Sequence, residues 1–487
     1  PTMKPVIRLE RLDIFDTPHL DVLRPRFPRK PVVHILVVVD SRISIRASSD
    51  FGVARVIRLI RAGTSYATFE VTIAERAATS GQAHIDHGPV DAATSPETAR
   101  YAGFRFDGTR VDGSRVLTGV DEVWCFGYDP NNFGLASDAS VTSAPSASTH
   151  TELGALAAWM NAGGSVLAMG DHHYLGASMC SRMLRVGTMR RWTNADGVPP
   201  MDGFTRIDTN QPMNASQQPA STGGAGAEIP FDAQSDAVPQ KLEVRRFGNP
   251  FAILGTIKPH PILCGGEIGL IDVFPDHPHE GRVREDDEID LSVAWGVDAD
   301  IREYPMVGSK QPRPQVIAWG NTVPDPPYNQ SKNAAQALRF PVLGVYDGEP
   351  IGVGRIVVDS TWHHWFDVNL VGVDGASGFE HAADQTVWNK LVAFYQNVAV
   401  WLARPASRGA MLNYVAFWAT FNSHLFEELT PTGDATSIGK TALSVLRRGI
   451  PDCALRNWIW AHFHEIEIAR PFPPGPWPCL SCPPSPL

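Results

Sequence analysis

The residues best suited to chemistry in this chain are histidines that occur in short clusters near carboxylates. Six of the sixteen histidines form three clusters: His172 with His173, His277 with His279, and His363 with His364. A histidine of near-neutral pKa beside a carboxylate can exchange protons at pH 7, so such a pair can serve as general acid and base. Adjacent histidines on extended backbone point to opposite faces, so at most one of each adjacent pair should enter a site. We therefore expect catalysis by Asp171, His172 and either His363 or His364.

The middle cluster has the spacing of a metal site. His277 and His279 share a face if their backbone is extended, and Asp276 or Glu280 could add a carboxylate ligand. His277, His279 and Glu280 could thus hold a divalent ion such as zinc, manganese or iron. The alternative is a proline-bounded loop whose histidines donate to backbone carbonyls.

Two cysteines near the end of the chain have a weaker metal pattern. Cys479 and Cys482 supply only half of a four-ligand zinc site, with no second pair of ligands nearby in the sequence. We predict that they do not bind metal within one chain.

The cluster at Asp171 follows a short apolar strand. Residues 163–176 read GGSVLAMGDHHYLG, in which Ser165–Met169 is too short for a helix and is bounded by glycines. Upstream, residues 151–162 carry apolar side chains at the spacing of an amphipathic helix. In open α/β sheets ligands collect beyond the carboxyl ends of such strands, and Asp171 would lie there.

Three further strands are predicted to end on carboxylates. Residues 31–40 (PVVHILVVVD), 121–129 (DEVWCFGYD) and 354–359 (GRIVVD) are apolar runs typical of buried parallel strands. If these strands are neighbours, their carboxyl ends converge on one rim. Substrate contacts are expected at this rim from Asp40, Asp129, Tyr174 and Trp362. Each strand-end aspartate has a structural alternative, because such residues commonly cap the next helix or turn.

The alternation of strand and helix patterns predicts an α/β fold: a mostly parallel, flavodoxin- or amidotransferase-like sheet with helices on both faces. Residues 31–189 and 341–403 would form this core. Four other segments complete the expected organisation: an N-terminal arm (1–30), a large insertion carrying PDHPHEG (190–340), a helical extension (404–470) and a proline-rich tail (471–487).

Composition and missing motifs narrow the classes of ligand. The 487 residues include 42 basic and 52 acidic side chains without a basic stripe, which argues against nucleic-acid binding. No apolar run approaches the ~20 residues of a membrane helix, and no signal peptide is recognisable, so we expect a cytoplasmic protein without membrane contact. No GxSxG, P-loop or GxGxxG motif is present, so neither a serine nucleophile nor a nucleotide cofactor is expected. The C-terminal helices could support a homo-oligomer.

Several segments together resemble the class I glutamine amidotransferase-like superfamily, and its ThuA-like (trehalose utilisation) branch in particular. The resemblance rests on VVHILVVVD, DEVWCFGYD, MNAGGSVLAMGDHHYLG, HPIL and GVGRIVVDSTWHHW, and it covers roughly residues 31–403. It implies the parallel sheet and a carbohydrate-like substrate. Glutaminases of this superfamily carry a catalytic cysteine in the turn after the Gly-Gly strand. This chain has Gly170, Asp171 and His172 there, so no glutaminase activity is expected.

The chain is therefore expected to be a hydrolase or lyase that acts on a small polar, carbohydrate-like substrate. A His/Asp site at the carboxyl ends of the parallel strands would do the chemistry, with or without a metal ion. The alternative is a catalytically silent amidotransferase-like scaffold or assembly subunit, which would use its C-terminal helices and tail for contacts.

Overall fold

The structure is a computed structural model that describes residues 29–40, 43–45, 52–76, 85–87, 99–127, 147–170, 176–192, 240–247, 258–274, 282–321, 339–372, 374–376 and 378–422. The strands in these ranges are β1 (Val32–Val39), β2 (Thr68–Glu75), β3 (Ile85–His87), β4 (Ala99–Ala102), β5 (Glu122–Phe126), β6 (Ser165–Met169), β7 (Arg190–Arg191), β8 (Gln240–Val244), β9 (Arg246–Phe247), β10 (Lys258–Pro259), β11 (Val273–Phe274), β12 (Arg282–Val283), β13 (Gln315–Asn321), β14 (Arg339–Tyr346) and β15 (Ile356–Asp359). The helices are α1 (Ala54–Arg61), α2 (Ala147–Asn161), α3 (Ala177–Cys180), α4 (Val186–Met189), α5 (Asp367–Val371), α6 (Thr386–Leu402) and α7 (Pro405–Asn422).

Eleven of these strands form one mixed sheet in the order β11-β8-β13-β14-β15-β6-β5-β1-β2-β4-β3. The six strands from β15 to β4 in this order are parallel to one another. The other pairs of the sheet are antiparallel. The sheet confirms the predicted α/β class. It also confirms that the strands leading to Asp40, Met169 and Asp359 lie side by side, with β5 between β1 and β6.

Alternate residues of the parallel strands enter two separate cores. Val37 of β1 lies in one hydrophobic cluster with Val56 of α1 and Phe394 of α6. Val38 lies in the other cluster with Leu156 of α2. Because β1 is buried on both faces, it carries a continuous β-branched run rather than an alternating pattern. Helices therefore cover both faces of the sheet, as predicted.

The strands on the far side of β15 differ from the sequence-based expectation. The predicted insertion, residues 190–340, contributes the strands β8, β11 and β13 to the same sheet. β14 is antiparallel to β15. The physical reason is the short connection 347–355, since a parallel crossover needs about a dozen residues or more. The rim of parallel carboxyl ends thus stops at β15.

The helices that follow β15 pack on this sheet. α6 buries Trp388, Leu391, Phe394 and Tyr395, whose spacing places them on one face of the helix. α7 lies in the predicted helical extension, of which the structure describes the part up to residue 422. Of the helices in the described ranges, none is both long and apolar enough to span a membrane.

Two backbone segments touch at the amino-terminal ends of β6 and β15. The Gly354 N–H donates to the Met160 carbonyl at 2.9 Å. A Cβ atom added at Gly354 would lie 1.7 Å from the carbonyl oxygen of Gly164. This approach is closer than any side chain allows, so the pairing of β15 with β6 requires glycine here.

We predict that Gly354→Ala lowers the free energy of unfolding by about 3 kcal/mol, because the new methyl group must displace backbone rather than a flexible side chain. Gly154→Ala is the matched control, since a Cβ at that position of α2 meets nothing within 4 Å. The control should leave stability unchanged or raise it by about 1 kcal/mol. Urea unfolding of both variants provides the measurement. Equal stability of Gly354→Ala and the unsubstituted protein would contradict the close approach.

Candidate functional site

The candidate site is a buried aspartate–histidine pair at the carboxyl end of β15. Asp359 is the last residue of this strand, and its side chain is fully buried. Its Oδ1 accepts from the backbone N–H of Thr361 at 3.1 Å, and its Oδ2 lies 2.9 Å from His364 Nε2 and accepts from Trp365 Nε1 at 2.9 Å. The bond to Thr361 is the local turn that aspartate favours at the end of a strand. The chain therefore folds back, and His364 returns to the strand end.

The hydrogen bond to Asp359 sets the tautomer of His364. An ionised carboxylate only accepts hydrogen bonds, so Nε2 of the ring carries the proton that points at Oδ2. In the neutral ring, Nδ1 is then the basic nitrogen. A carboxylate that orients an imidazole and stabilises its protonated form is the arrangement used by acid–base catalysts.

Aromatic side chains hold the ring of His364 in place. Phe274 of β11 stacks on it with ring centroids 4.0 Å apart and an angle of 15° between the planes. Phe394 of α6 meets it edge-on at 5.4 Å, and the Tyr395 hydroxyl donates to the His364 carbonyl. The ring is fully buried. These contacts remove the rotational freedom of the ring and lower the local dielectric, which strengthens the interaction with Asp359.

Two of the predicted histidine segments begin beside this pair. The N–H of Gly170, the residue before Asp171, donates to the Asp359 carbonyl at 3.0 Å. A Cβ atom at Gly176 would lie 2.7 Å from Gly170 Cα, so these two glycines, which flank segment 171–175, are in contact. Phe274, which stacks on His364, is the residue directly before segment 275–281. Gly170 and Phe274, the residues that precede two of the histidine segments, therefore lie beside the turn after β15 that carries His363 and His364.

Asp40 lies at the same rim but at a distance from the pair. It follows β1 and is 2% exposed. Its carboxylate lies next to Gly127, which follows β5, because a Cβ atom added at Gly127 would be 3.8 Å from Asp40 Oδ2. β1 and β15 are separated by three strand spacings, which corresponds to about 14 Å. Asp40 can therefore border a ligand that extends along the rim, but it does not contact His364.

Trp362 and His363 contact each other rather than Asp359. Trp362 Nε1 donates to His363 Nε2 at 2.9 Å, and Asn369 Nδ2 lies 3.2 Å from His363 Nδ1. Asn369 Nδ2 also donates to the His363 carbonyl at 2.8 Å. The adjacent histidines thus have different partners among the described residues, where Asp359 bonds to the ring of His364. His363 and Trp362 are both about 5% exposed.

The remaining predicted site residues lie outside the described residues: Asp129, Asp171, His172, Tyr174, His277, His279 and Glu280. The tail cysteines, Cys479 and Cys482, lie outside them as well. Within the ranges that the structure describes, no group of three histidine, cysteine, aspartate or glutamate side chains could hold a metal ion. The predicted metal ligands therefore remain predictions.

Three residues of the site have no role in the sequence-based hypothesis: Trp365, Phe274 and Tyr395. Trp365 directly follows the histidine pair, so its position in the sequence could have indicated that it lies beside Asp359. Phe274 directly precedes the PDHPHEG motif, which is a second local signal. Tyr395 lies on α6, and its contact with the loop depends on how the helix packs on the sheet.

Comparisons of the chain with protein-family models, with curated proteins and with solved structures found no match in any of the three. Function must therefore follow from the chemistry of the site.

Three groups with strongly shifted pKa values lie at the opposite edge of the sheet, whereas Cys180, whose pKa burial also raises well above its usual value, contacts the Met169 carbonyl at the carboxyl end of β6. Burial raises the pKa of Glu303 to about 8, lowers that of His260 to about 3, and holds that of Glu122 well above its usual value. Glu122 begins β5, and Arg355, which helps to lower the pKa of His260, directly precedes β15. Shifted pKa values can mark functional sites, but burial alone produces them as well.

We predict that Asp359→Asn lowers the free energy of unfolding by about 3 kcal/mol. The amide keeps the shape of the carboxylate but turns one acceptor into a donor, so a buried N–H loses its acceptor. Asp290→Asn is the control, because exposed Asp290 accepts from Ser292 in a similar local turn. It should leave the urea midpoint unchanged. Equal midpoints for both variants would show that Asp359 does not organise the loop.

A second prediction concerns the pH dependence of stability. The pKa of Glu303 rises from 4.5 to about 8 on folding, so the folded protein holds a proton that the unfolded chain has lost. The contribution of Glu303 to the free energy of unfolding is present in full below pH 4.5. It falls as the pH rises to about 8, by up to about 1.4 kcal/mol per pH unit. Glu303→Gln should remove this slope in urea unfolding between pH 5 and pH 9. Parallel pH profiles for the two proteins would contradict the assignment.

Proposed function

We propose that this protein is a hydrolase or lyase that acts on a small polar, carbohydrate-like substrate, with His364 as its general acid–base group. The observation that carries the proposal is the hydrogen bond between Asp359 and His364, beside which lie Gly170 and Phe274, the residues that precede the other two histidine segments. A fixed tautomer, a buried carboxylate partner and nearby ionisable segments are the elements that acid–base catalysis needs.

In this mechanism Nδ1 of His364 takes a proton from a water molecule or from an acidic C–H bond of the substrate. Asp359 stabilises the positive charge that forms on the ring, because its carboxylate stays bonded to Nε2. Asp171 or His172 would exchange the second proton, since their segment begins at Gly170 beside Asp359. Acid–base catalysis of this kind contributes roughly 10²–10⁴-fold to rate.

Substrate contacts are proposed along the same rim: Asp40, Asp129, Tyr174 and Trp362. Asp40 would bind a hydroxyl group at the far end of the substrate, because it lies three strands from Asp359. The N–H of Trp362 is bonded to His363, so this residue would offer its ring to the apolar face of a sugar-like molecule.

A divalent ion could assist this chemistry. His277, His279 and Glu280 follow Phe274 in the chain, and Phe274 stacks on His364. Imidazole and carboxylate ligands suit zinc, manganese or iron, and such an ion would activate a water molecule.

A catalytically silent amidotransferase-like scaffold is the second candidate. The full burial of His364 and the stacking of Phe274 on its ring favour this alternative, because they suit a side chain that only holds the loop in place. In that case α7 and the residues after it would provide contacts with other copies of the chain or with a partner.

The test is an activity screen with variants. The purified protein is assayed against lactones, nitrophenyl glycosides, acylated sugars and sugar acids, each with EDTA or with added zinc, manganese or iron. We expect turnover of at least one class, and His364→Gln should lower kcat/KM by about 10²–10⁴-fold. His381→Gln, which changes an exposed histidine, should have wild-type kcat/KM.

Two results would contradict the enzyme proposal. One is the absence of turnover in every class under all metal conditions. The other is wild-type turnover by a His364→Gln variant whose near-ultraviolet circular dichroism shows a native fold. Either result would favour the scaffold.

A further inference from the structure

A second cluster of polar side chains lies at the edge of the sheet opposite the Asp359–His364 pair. Tyr346 ends β14 and pairs with Ile356, the first residue of β15. Asn161 ends α2, just before β6. Arg185 contacts both: its Nη2 donates to Asn161 Oδ1 at 2.8 Å, and its guanidinium carbon lies 5.9 Å from the centre of the Tyr346 ring. The cluster is therefore separate from the candidate catalytic rim.

The backbone of Arg185 is strained and firmly held. Among the described residues other than glycine, Arg185 alone has a positive φ, 66°. Its N–H donates to the buried carboxylate of Glu303, and its carbonyl accepts from Thr188 Oγ1 at 3.1 Å and from the Tyr304 hydroxyl at 3.4 Å. Such conformations cost about 1 kcal/mol or more and persist where the surroundings fix them, often at functional positions.

Two of the three guanidinium nitrogens of Arg185 lack acceptors. The side chain is fully buried, and its Nε and Nη1 have no hydrogen-bond partner. The hydroxyl of Tyr346 is likewise buried without a partner. In the described part of the chain, no carboxylate forms an ion pair with this guanidinium, since Glu303 bonds to the backbone N–H instead. A buried cation without a counter-ion is costly, and each unsatisfied buried donor adds about 1–3 kcal/mol.

The titratable groups around Arg185 do not supply the missing negative charge. Burial raises the pKa of Glu303 to about 8, so this carboxyl is mostly protonated at pH 7. Burial also raises the pKa of Tyr346 to about 12 and that of Tyr304 still further, so both phenols remain neutral. The cluster therefore presents one positive charge with unused donors. Asn161 is exposed, which puts one end of the guanidinium next to solvent.

We propose that Arg185 and Tyr346 form a binding site for a small monovalent inorganic anion, such as chloride or nitrate, at the amino-terminal ends of β6 and β15. The anion would accept from Arg185 Nε or Nη1 and from the Tyr346 hydroxyl, and it would neutralise the buried guanidinium. It would also tie the end of α2 to β14 through Arg185. The site is independent of the proposed catalytic function.

The test is anion-dependent thermal unfolding at constant ionic strength, with sodium gluconate replaced stepwise by chloride, bromide or nitrate. We expect a saturable rise of the unfolding midpoint by a few degrees, because an anion bound only by the folded state stabilises it. Tyr346→Phe keeps the ring and removes one donor to the anion. It should raise the half-saturating anion concentration about tenfold or more. Arg185→Met should abolish the response.

Arg313→Met is the control, because the Arg313 guanidinium bonds to the backbone carbonyls of Asp286 and Ile289 and should leave the response intact. If Arg185→Met does not fold, Tyr346→Phe still decides the question. A crystal grown in bromide should show a bromide ion in contact with Arg185 and Tyr346. The proposal is overturned by a midpoint that does not respond to the anion, by an unchanged response in Tyr346→Phe, or by a water molecule in place of bromide.

Discussion

The structure depends on one constraint: the carboxylate of Asp359 is buried at the end of β15 and must find its hydrogen-bond donors inside the protein. Removing a charged carboxylate from water costs several kcal/mol unless protein donors replace the lost hydration. Its donors come from the next six residues, namely Thr361, His364 and Trp365. The loop after β15 must therefore fold back on the strand. This return brings His364 against Phe274 of β11 and the aromatic face of α6.

The two edges of the sheet carry different kinds of polar structure. At the amino-terminal edge, Arg355 bonds to Asp347 at 2.9 Å, to Glu349 at 2.7 Å and to the carbonyl of Trp401 at 2.9 Å. This network joins the turn between β14 and β15 to the end of α6, and its satisfied contacts indicate a structural role. At the carboxyl-terminal edge, ionisable side chains follow several parallel strands. Among the described residues, this edge is the one where a fixed imidazole, that of His364, lies beside Gly170 and Phe274, the residues that precede the other two histidine segments.

The sequence indicates the elements of this fold better than the contacts between them. β1 and β6 are recognisable because burial on both faces leaves a continuous apolar run. The direction of β14 cannot be recognised from the sequence, because side chains alternate between the two faces in parallel and antiparallel strands alike. In the site, His363 and His364 stand out because they closely follow a strand-end aspartate. The stacking of Phe274 on His364 joins distant parts of the chain, so no local pattern could predict it.

The claim that Asp359 sets the protonation of His364 is tested most directly by nitrogen NMR of the His364 imidazole, assigned by its loss in His364→Gln. The structure predicts that Nε2 is protonated and Nδ1 is unprotonated in the neutral ring, because Nε2 points at the Asp359 carboxylate. This preference should be lost in Asp359→Asn. A neutral ring protonated at Nδ1, or a spectrum unaffected by Asp359→Asn, would contradict the account.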